Sequence, residues 1–351
     1  MNKKVLLGMS GGVDSSTSAY ILKEQGYDVE GVTLELYPGS SCCNLSTYLD
    51  AKKVCARLNI PHTIVDLKKE FREYVIDDFF DKYRNCKTPN PCVECNKYLK
   101  FGIMWEKAKE LGCDYVSTGH YAKVEYSEEY KRYVLKKSKN KLKDQTYFLY
   151  DIPKDVLEHV IFPLGDFEDK EEVRALAKKQ NLPTYSRPDS EDLCFVPDGD
   201  YKKFLEEHGS FKKKKGNIVL KKTGEILGEH EGLYNYTVGQ RKGMGIAYKE
   251  PLFVVGFDIK NNELLVGTKE DLFTKEFLVE NYNLLLVDEI KDKMKVTVKT
   301  RYSQKEYPCT IEMTDNNKIK VTFDEPQINI TPGQSAVFYI DDIVLGGGKI
   351  V

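Results

Sequence analysis

The segment that most constrains the fold is a glycine-rich motif near the start of the chain, Ser-Gly-Gly-Val-Asp-Ser at residues 10–15. The apolar residues 5–7 before it predict a short buried strand, and residues 16–25 after it predict a helix that ends at a glycine. Such a turn directs backbone N–H groups and a helix N-terminus at one point, which suits a phosphate or pyrophosphate. It is neither a Walker A loop nor a dinucleotide fingerprint. A purely structural strand-to-helix turn is the alternative.

Length and net charge limit the number of domains and the kind of nucleic-acid site that the chain can have. The chain has 351 residues, enough for two or three domains, and a formal net charge of −2, so any nucleic-acid site must be local. We find no apolar run of membrane-spanning length and no signal peptide, and we therefore predict a cytoplasmic protein. The nine cysteines are irregularly spaced. Their spacing favours reduced thiols, metal binding or catalysis over a disulfide scaffold.

Strand and helix patterns alternate through the first part of the chain. We predict strands at 4–9, 29–36, 62–67 and 114–118, and helices at 16–25, 48–58, 69–83, 99–111 and 170–180. This alternation is typical of an α/β fold with a doubly wound, mostly parallel sheet. Ligands of such sheets bind at the carboxyl ends of the strands. The glycine-rich motif, Leu34, Gly119 and His120 should therefore share one rim.

A second informative segment lies at 85–96, where prolines and asparagines predict a rigid turn. It presents Cys92 and Cys95 in CxxC spacing just ahead of the predicted helix. A helix N-terminus favours the thiolate of a nearby cysteine, and CxxC is also a common ligand pair for metal or iron–sulfur centres. Two incidental cysteines in a turn are the structural alternative. Cys194, in a short apolar setting, would by itself be interpreted as a core thiol.

The remainder of the chain changes character. Residues 131–143 carry seven Lys or Arg and no acid, which suggests phosphate contact near the rim or a solvated surface. After about residue 208 the chain becomes β-like, with a glycine-punctuated basic loop at 236–246 and turns between short strands. We predict a catalytic α/β domain at 1–208, a small β-rich central domain at 209–275 and a C-terminal β-barrel at 276–351. Basic loops on β modules suggest a macromolecular substrate such as RNA.

Together these segments resemble bacterial tRNA-specific 2-thiouridylases of the MnmA/TrmU type, within the PP-loop ATP pyrophosphatase superfamily. The resemblance spans essentially the whole chain. Its motifs are the PP-loop at 10–15, Lys-Thr-Pro-Asn-Pro at 87–91, Cys-Asn at 95–96, Thr-Gly-His-Tyr at 118–121, Lys-Asp-Gln at 143–145, Cys-Phe at 194–195, Gly-Gln-Arg-Lys-Gly at 239–243, Arg-Tyr at 301–302, Thr-Pro-Gly-Gln-Ser-Ala-Val at 331–337 and Leu-Gly-Gly-Gly at 345–348.

The resemblance implies a reaction: ATP, with Mg²⁺, adenylates the C2 oxygen of the wobble uridine, and sulfur then replaces that oxygen. In the family's persulfide scheme, the residue matching Cys194 carries the persulfide and the residue matching Cys95 attacks it. The implied ATP contacts are Gly8, Met9, Ser10, Gly11, Gly12, Val13, Asp14, Ser15, Leu34 and Gly119. The implied contacts to the target base are Asn90, Pro91 and Cys92. The implied contacts to tRNA are His120, Lys143, Asp144, Gln145, Arg301, Tyr302 and Gln334.

One residue departs from the family pattern, because many members have Asp where this chain has Cys92. Three cysteines, Cys92, Cys95 and Cys194, are therefore candidate ligands of a 4Fe–4S cluster with one open iron, and this route stands beside the persulfide route. The partners implied are the tRNA anticodon arm and a sulfur donor such as a cysteine desulfurase or a relay protein. A role for Cys42 and Cys43 in the site is less favoured than a structural one.

Two other functions stay open. One is a PP-loop ligase or amidotransferase acting on a small metabolite, which would need neither the cysteine pair nor the β modules. The other is a non-catalytic tRNA-binding or sulfur-carrier protein, which the intact PP-loop argues against.

Overall fold

The structure is a computed structural model that describes residues 3–38, 45–188, 193–196 and 198–351. Cys42 and Cys43 lie outside the described residues. The strands are β1 Lys4–Gly8, β2 Asp28–Glu35, β3 His62–Asp66, β4 Tyr115–Ser117, β5 Ala122–Ser127, β6 Arg132–Lys137, β7 Val160–Ile161, β8 Gly216–Leu220, β9 Ile226–His230, β10 Phe253–Asp258, β11 Glu263–Gly267, β12 Thr274–Leu284, β13 Met294–Lys299, β14 Tyr307–Met313, β15 Ile319–Gln327, β16 Ser335–Ile340 and β17 Ile343–Ile350.

Helices follow most strands of the first half. The α-helices are α1 Val13–Glu24, α2 Leu45–Leu58, α3 Lys68–Phe71, α4 Asp77–Arg84, α5 Pro91–Glu94, α6 Met104–Glu110, α7 Lys170–Lys179 and α8 Tyr201–His208. Two π-helical stretches, Arg72–Ile76 and Cys95–Ile103, join α3 to α4 and α5 to α6. Within the described ranges, no helix has both the length and the apolar content needed to cross a membrane.

The first sheet is parallel, in the order β3-β2-β1-β4-β7, which confirms the predicted doubly wound fold. Its central strand is apolar on both faces, as a parallel sheet covered by helices requires. Val5 and Leu7 pack with residues of α1 and α2, whereas Leu6 packs with residues of α6. The strand order reverses between β1 and β4, so the carboxyl end of β1 is the switch point at which ligands bind in such sheets.

The remaining strands form two further sheets. A small four-stranded sheet has the order β10-β11-β8-β9 and its own apolar core. Six strands, β12-β15-β14-β13-β16-β17, close into a barrel because β17 also pairs with β12, with Val279 opposite Ile350. The predicted C-terminal barrel is therefore confirmed.

Two parts of this barrel differ from the sequence prediction. Strand β12 was not predicted, because its apolar alternation is interrupted by a register shift between Glu280 and Asn283 and by Asn281 in the left-handed region (φ 49°). The basic run 131–143 is not simply a surface loop. Its first half is β6, which forms a hairpin with β5, and the hairpin extends the barrel sheet through the pair Ile343 and Lys136.

The barrel and the parallel sheet share a core. Val337, Tyr339 and Val344 of the barrel belong to the same buried cluster as Leu6 and Trp105 of the first domain. Buried polar contacts add to this interface, since the Tyr147 hydroxyl donates to the carbonyl of Ser335 at 2.9 Å. The barrel is therefore positioned rigidly against the parallel sheet rather than tethered by a linker.

Candidate active site

The glycine-rich motif forms a tight turn from β1 into α1. Gly11 has φ +71°, and a Cβ at this position would lie 2.2 Å from the carbonyl oxygen of Thr47 in α2. Only glycine satisfies both the left-handed backbone and this close approach. Gly11 therefore serves a local backbone requirement, and the turn is fixed by packing against α2.

Hydroxyl groups close this turn internally. Ser15 Oγ accepts from the backbone N–H of Ser10 at 3.3 Å and donates to the carbonyl of Gly12 at 3.2 Å. Helix α1 begins at Val13 without a side-chain cap on Gly12. The first N–H groups of a helix have no intrahelical acceptor, and together with the helix dipole they favour an anion at this end.

Asp14 is the acidic residue of the motif, and both of its carboxylate oxygens are engaged. Oδ1 accepts from the Tyr121 hydroxyl at 2.9 Å and from Lys170 Nζ at 2.7 Å, and Oδ2 accepts from Lys170 at 2.5 Å. Lys170 is the first residue of α7, where a cation opposes the helix dipole. That unfavourable position was a signal in the sequence for a specific acidic partner, and our sequence interpretation missed it.

Of the predicted rim residues, Gly119 meets the glycine-rich turn. A Cβ on Gly119 would lie 2.8 Å from the backbone nitrogen of Ser15, so the segment after β4 lies directly against the glycine-rich turn. Leu34, near the end of β2, is half-buried at the same edge of the sheet. Met9 is buried and donates its N–H to the carbonyl of Val32 at 2.7 Å, which ties the turn to β2.

His120 is half-buried beside this turn. Its Nδ1 lies 2.6 Å from Thr118 Oγ1, and its ring contacts those of Phe101 and Phe162. Desolvation lowers the pKa of His120 well below its ordinary value, and the nearby charge of Lys100 acts in the same direction. The imidazole is therefore neutral at physiological pH, and it would contact RNA through hydrogen bonding or stacking rather than as a cation.

The cysteine pair is placed differently from the prediction. The helix begins at Pro91 and continues through the π-helical stretch into α6, so the predicted start at 99 is wrong. Proline is favoured at the first helical position, so Pro91 was a readable signal of the earlier start. Cys92 lies in the first turn, whereas Cys95 lies beyond it, where the field of a helix N-terminus falls off.

The three candidate thiols have two different environments. Cys95 is 8% exposed and shares one apolar cluster with half-buried Cys194, together with Phe71, Phe79 and Phe195. The same cluster includes Leu34, so these two thiols lie near the carboxyl edge of the sheet. Cys92 lies outside that cluster, and the residue is exposed to solvent. Surrounding protein nevertheless desolvates the thiol group, which raises the pKa of Cys92, while the charge of Lys100 acts in the opposite direction.

This arrangement does not fit a cluster ligated by Cys92, Cys95 and Cys194. In the part of the chain that the structure describes, no three His, Cys, Asp or Glu side chains lie close enough to hold a metal ion. The predicted iron–sulfur ligand set is therefore not assembled among the described residues, and Cys92 lies outside the apolar cluster that contains the other two thiols. A magnesium site made by protein alone is likewise not assembled among these residues, although Asp14 offers a carboxylate at the glycine-rich turn.

The predicted base-binding turn is buried and tied to the barrel. Asn90 is 6% exposed, and its carbonyl accepts from the N–H of Val93 at 3.1 Å. The neighbouring carbonyl of Pro89 accepts from Gln334 Nε2 at 3.0 Å. Gln334, predicted to contact tRNA, therefore also fixes the turn that carries Asn90, Pro91 and Cys92.

The other predicted tRNA residues divide between surface and interior. Tyr302 is 36% exposed, and its ring lies 4.5 Å from that of Phe148. Arg301 donates to the carbonyl of Val238 at 3.1 Å and to the Thr331 hydroxyl, while its buried Nε has no hydrogen-bond partner within the described residues. Arg301 thus bridges the basic loop 236–246 and the barrel.

The Lys-Asp-Gln motif is mostly structural in its contacts. Asp144 is buried and accepts from the N–H of Ser138 at 3.0 Å and from Thr146 Oγ1 at 2.6 Å. Gln145 Oε1 accepts from the N–H of Tyr121 at 2.9 Å, which links the motif to the rim. Lys143 is half-buried, and its charge lies near Tyr302.

The basic run contributes less positive charge than its sequence suggests. Most of its cations form ion pairs: Lys131 with Glu128, Arg132 with Asp288, Lys136 with Glu125 and Asp342, Lys137 with Glu306, and Lys139 with Asp166. Glu128 and Glu125 are close in sequence, but Asp288, Glu306 and Asp342 come from distant parts of the chain, so the charge run alone could not reveal those pairs. Phosphate contact by this run stays a prediction.

Comparisons with known proteins cover the whole chain. Three family models match in succession: a tRNA methyl transferase HUP domain over 3–198, a tRNA methyl transferase PRC-barrel domain over 202–268 and an aminomethyltransferase beta-barrel domain over 274–350. The tRNA-specific 2-thiouridylase MnmA of Clostridioides difficile (strain 630) is 46% identical over 357 aligned positions, covering 100% of this chain and 98% of the relative.

A second relative with the same name matches the chain equally well. The tRNA-specific 2-thiouridylase MnmA of Acetivibrio thermocellus is 46% identical over 357 positions, with 99% of each chain covered. Among solved structures, the U34-tRNA thiolase NcsA from Methanococcus maripaludis with its [4Fe-4S] cluster aligns at a TM-score of 0.36 and 23% identity, covering 60% of this chain and 68% of that chain. A similarity this weak supports no conclusion about the site.

Proposed function

The chain belongs to the MnmA family of tRNA-specific 2-thiouridylases, and on that premise we propose that it converts the wobble uridine of tRNA to 2-thiouridine by adenylation followed by persulfide transfer. The observation that carries the persulfide route is the shared apolar cluster of Cys95 and Cys194 at the carboxyl edge of the sheet. The phosphate-binding turn lies at that same edge. Adenylation and sulfur transfer would therefore act on the same substrate base.

The first step activates a poor leaving group. The C2 oxygen of uridine attacks the α-phosphorus of ATP, the bond to the β-phosphate breaks, and pyrophosphate leaves. The backbone N–H groups of the turn at 10–15 and the start of α1 would hold the phosphates, because they converge there without a side-chain cap. Mg²⁺, when bound with ATP, would share the phosphate charge. Since Mg²⁺ binds mainly through substrate phosphates and one or two carboxylates, Asp14 would be its protein ligand, exchanging its contact with Lys170.

The second step transfers sulfur. The terminal sulfur of a Cys194 persulfide attacks C2, the C2–O bond breaks, and AMP leaves. The base is then joined to Cys194 through a disulfide. The thiolate of Cys95 attacks Sγ of Cys194, which releases the thiolated base and leaves a Cys95–Cys194 disulfide. A dithiol reductant then restores both thiols, and a persulfide donor such as a cysteine desulfurase or a relay protein reloads Cys194.

The tRNA would lie across the barrel and the rim. Tyr302 on Phe148 offers a partly exposed aromatic face for a base of the anticodon loop, and Lys143 lies nearby for a phosphate. An extruded wobble base would reach the turn that carries Asn90, Pro91 and Cys92. Such a substrate is consistent with a cytoplasmic enzyme. We also propose the three-part division 1–208, 209–275 and 276–351, supported by the succession of sheets.

The test measures whether ATP cleavage depends on tRNA. Purified protein with ATP, a persulfide donor and tRNA should release AMP and pyrophosphate, and nucleoside mass spectrometry should show 2-thiouridine. The same tRNA with cytidine at the wobble position is the matched control and should support neither product. AMP formation without tRNA would favour a ligase of a small metabolite. Binding of tRNA with neither product would favour a non-catalytic binding protein.

A further inference from the structure

Six charged side chains, some buried and some half-buried, form ion pairs around the helix that carries Cys92 and Cys95. This cluster contains three acids and three lysines, so its formal charges cancel. The acids are Asp78, Glu94 and Asp151, and the lysines are Lys82, Lys97 and Lys349. Glu94 Oε1 lies 2.8 Å from Lys349 Nζ and 3.3 Å from Lys82 Nζ, and the Glu94 and Lys349 side chains are only 9% and 11% exposed.

The cluster joins helices of the first domain to the last strand of the barrel. Glu94 lies between Cys92 and Cys95 in the sequence and closes α5, whereas Lys349 belongs to β17, the last strand of the barrel. Lys82 comes from α4 and pairs with Asp78 at 2.7 Å. Lys97, two residues after Cys95, pairs with buried Asp151 at 3.1 Å. Charges from three separate segments therefore fix the helix that carries both cysteines.

A second contact holds the preceding turn to the same end of the barrel. The N–H of Thr88 donates to the carbonyl of Pro332 at 2.8 Å, and Gln334 Nε2 donates to the carbonyl of Pro89 at 3.0 Å. The barrel thus contacts the cysteine-bearing segment on both sides of Asn90. The barrel therefore helps to build the part of the site that carries Cys95 and Cys194, which we call the sulfur half. This role is in addition to any surface that the barrel offers to RNA.

Buried ion pairs are poor sources of stability, because desolvation offsets most of their Coulomb attraction. Their best-attested role is to specify one geometry among alternatives. Burial and charge act in opposite directions on Glu94. Burial raises the pKa of its carboxyl group, but the positive charges of Lys349 and Lys82 lower it by more, so the pKa is lowered overall. Glu94 is therefore ionised and keeps its attraction to Lys349 throughout the neutral range.

We propose that the Lys349–Glu94 ion pair is a positioning device that sets the approach of Cys95 to Cys194, so that the C-terminal barrel controls sulfur transfer. Neither residue touches the substrate in this account, and the effect passes through the helix that carries Cys95. The proposal rests on the proposed persulfide function.

The experiment compares Lys349→Met and Glu94→Gln with the double variant, in the full-length chain. Single-turnover thiolation should fall roughly 10- to 100-fold in each single variant, as expected for a displaced nucleophile, while AMP formation and the Kd for tRNA change less than about twofold. The double variant should recover part of the rate, because it leaves no unpaired buried charge. Lys349→Arg should retain most of the activity.

A readout independent of tRNA keeps the test decisive. The rate at which diamide oxidises Cys95 and Cys194 to a disulfide should fall in the two single variants in parallel with thiolation. The matched control is Lys320→Met, which breaks the barrel surface pair of Lys320 and Glu276 at 2.8 Å and should change neither rate. If a single variant does not fold, the double variant and Lys349→Arg carry the comparison.

Two results would overturn the proposal: wild-type rates of thiolation and disulfide formation in both single variants, or losses that follow thermal stability alone and affect AMP formation equally. A wild-type enzyme that does not thiolate tRNA would instead refute the proposed function, so the two failures are distinguishable.

Discussion

The two halves of the site are built in opposite ways. The half that we propose to bind phosphate, called the phosphate-binding half, centres on one turn, which is held by contacts among residues 10–16 and by the close approach of Gly119. The sulfur half is assembled from α5, the segment around Cys194, α4 and the final barrel strand. The first half is centred on local backbone geometry, with Thr47 of α2, Gly119 and Lys170 packed against it, whereas the second half is assembled from segments that are remote in sequence. A change in one should therefore be separable from a change in the other.

The largest effect should come from removing a thiol of the sulfur half. Cys194→Ser or Cys95→Ser should lower thiolation by roughly a thousandfold or more, because each removes a nucleophile of the covalent sequence. AMP formation in the first turnover should persist, since the phosphate-binding half is intact. The measurement is nucleoside mass spectrometry beside AMP quantification. Cys86→Ser, at a half-buried thiol outside the Cys95–Cys194 cluster, is the control, and full thiolation in Cys95→Ser would refute the division.

The converse change damages the phosphate-binding half. In Gly119→Ala the new Cβ would press on the backbone of Ser15, and AMP formation should fall about 10- to 100-fold from the displaced turn. The rate of Cys95–Cys194 disulfide formation should stay at the wild-type value. Gly256→Ala, whose Cβ would meet only Leu265 Cδ1 at 3.9 Å, is the matched control. Equal loss of both rates would show that the halves are not separable.

A smaller effect should appear at the RNA surface that serves both halves. Tyr302→Ala removes the exposed ring on Phe148 and should raise the Kd for tRNA by roughly 5- to 100-fold, the range expected for one lost base stack. Tyr126→Ala, which removes a 48% exposed ring on the β5–β6 hairpin, is the control for a surface tyrosine. An unchanged Kd in Tyr302→Ala, measured by filter binding at fixed salt, would remove Tyr302 from the tRNA site.

The smallest effect concerns His120, at the rim between the halves. Its pKa is lowered by desolvation in the folded protein, so the unfolded chain takes up a proton first as pH falls below about 6.5. Stability should therefore decrease as pH falls from 6.5 toward the folded pKa, with a slope from this residue of at most about 1.4 kcal/mol per pH unit. Urea unfolding at several pH values should show this slope weakened in His120→Asn. An identical slope in the variant would contradict the assigned burial.

The difference between the halves also explains what the sequence could predict. The PP-loop, the parallel sheet and the closed barrel follow from local patterns: Gly11 at a positive φ, apolar β1 and alternating strands. The early start of the helix at Pro91 was readable but missed. The Lys349–Glu94 pair joins residues that are remote in sequence, and nothing in either local pattern identifies the partner. Asp14 and Lys170 show the same limit within the predicted half.

Cys92 shows what a composition argument cannot supply. Three cysteines suggested a shared cluster, yet Cys92 lies outside the apolar group that holds Cys95 and Cys194, and no three ligating side chains come together among the described residues. Residues three apart lie on neighbouring positions of a helix, so the spacing alone could not show that only Cys95 packs into this group. The structure therefore favours the pair over the triad.

The central claim is that two thiols without iron deliver the sulfur. The most direct measurement purifies the protein anaerobically, determines its iron content and absorption near 400 nm, loads it with persulfide and quantifies 2-thiouridine after one turnover. The account predicts a colourless, iron-free protein that forms 2-thiouridine and accumulates the Cys95–Cys194 disulfide in proportion. Thiolation that rises with bound iron, or that leaves both thiols reduced, would contradict it.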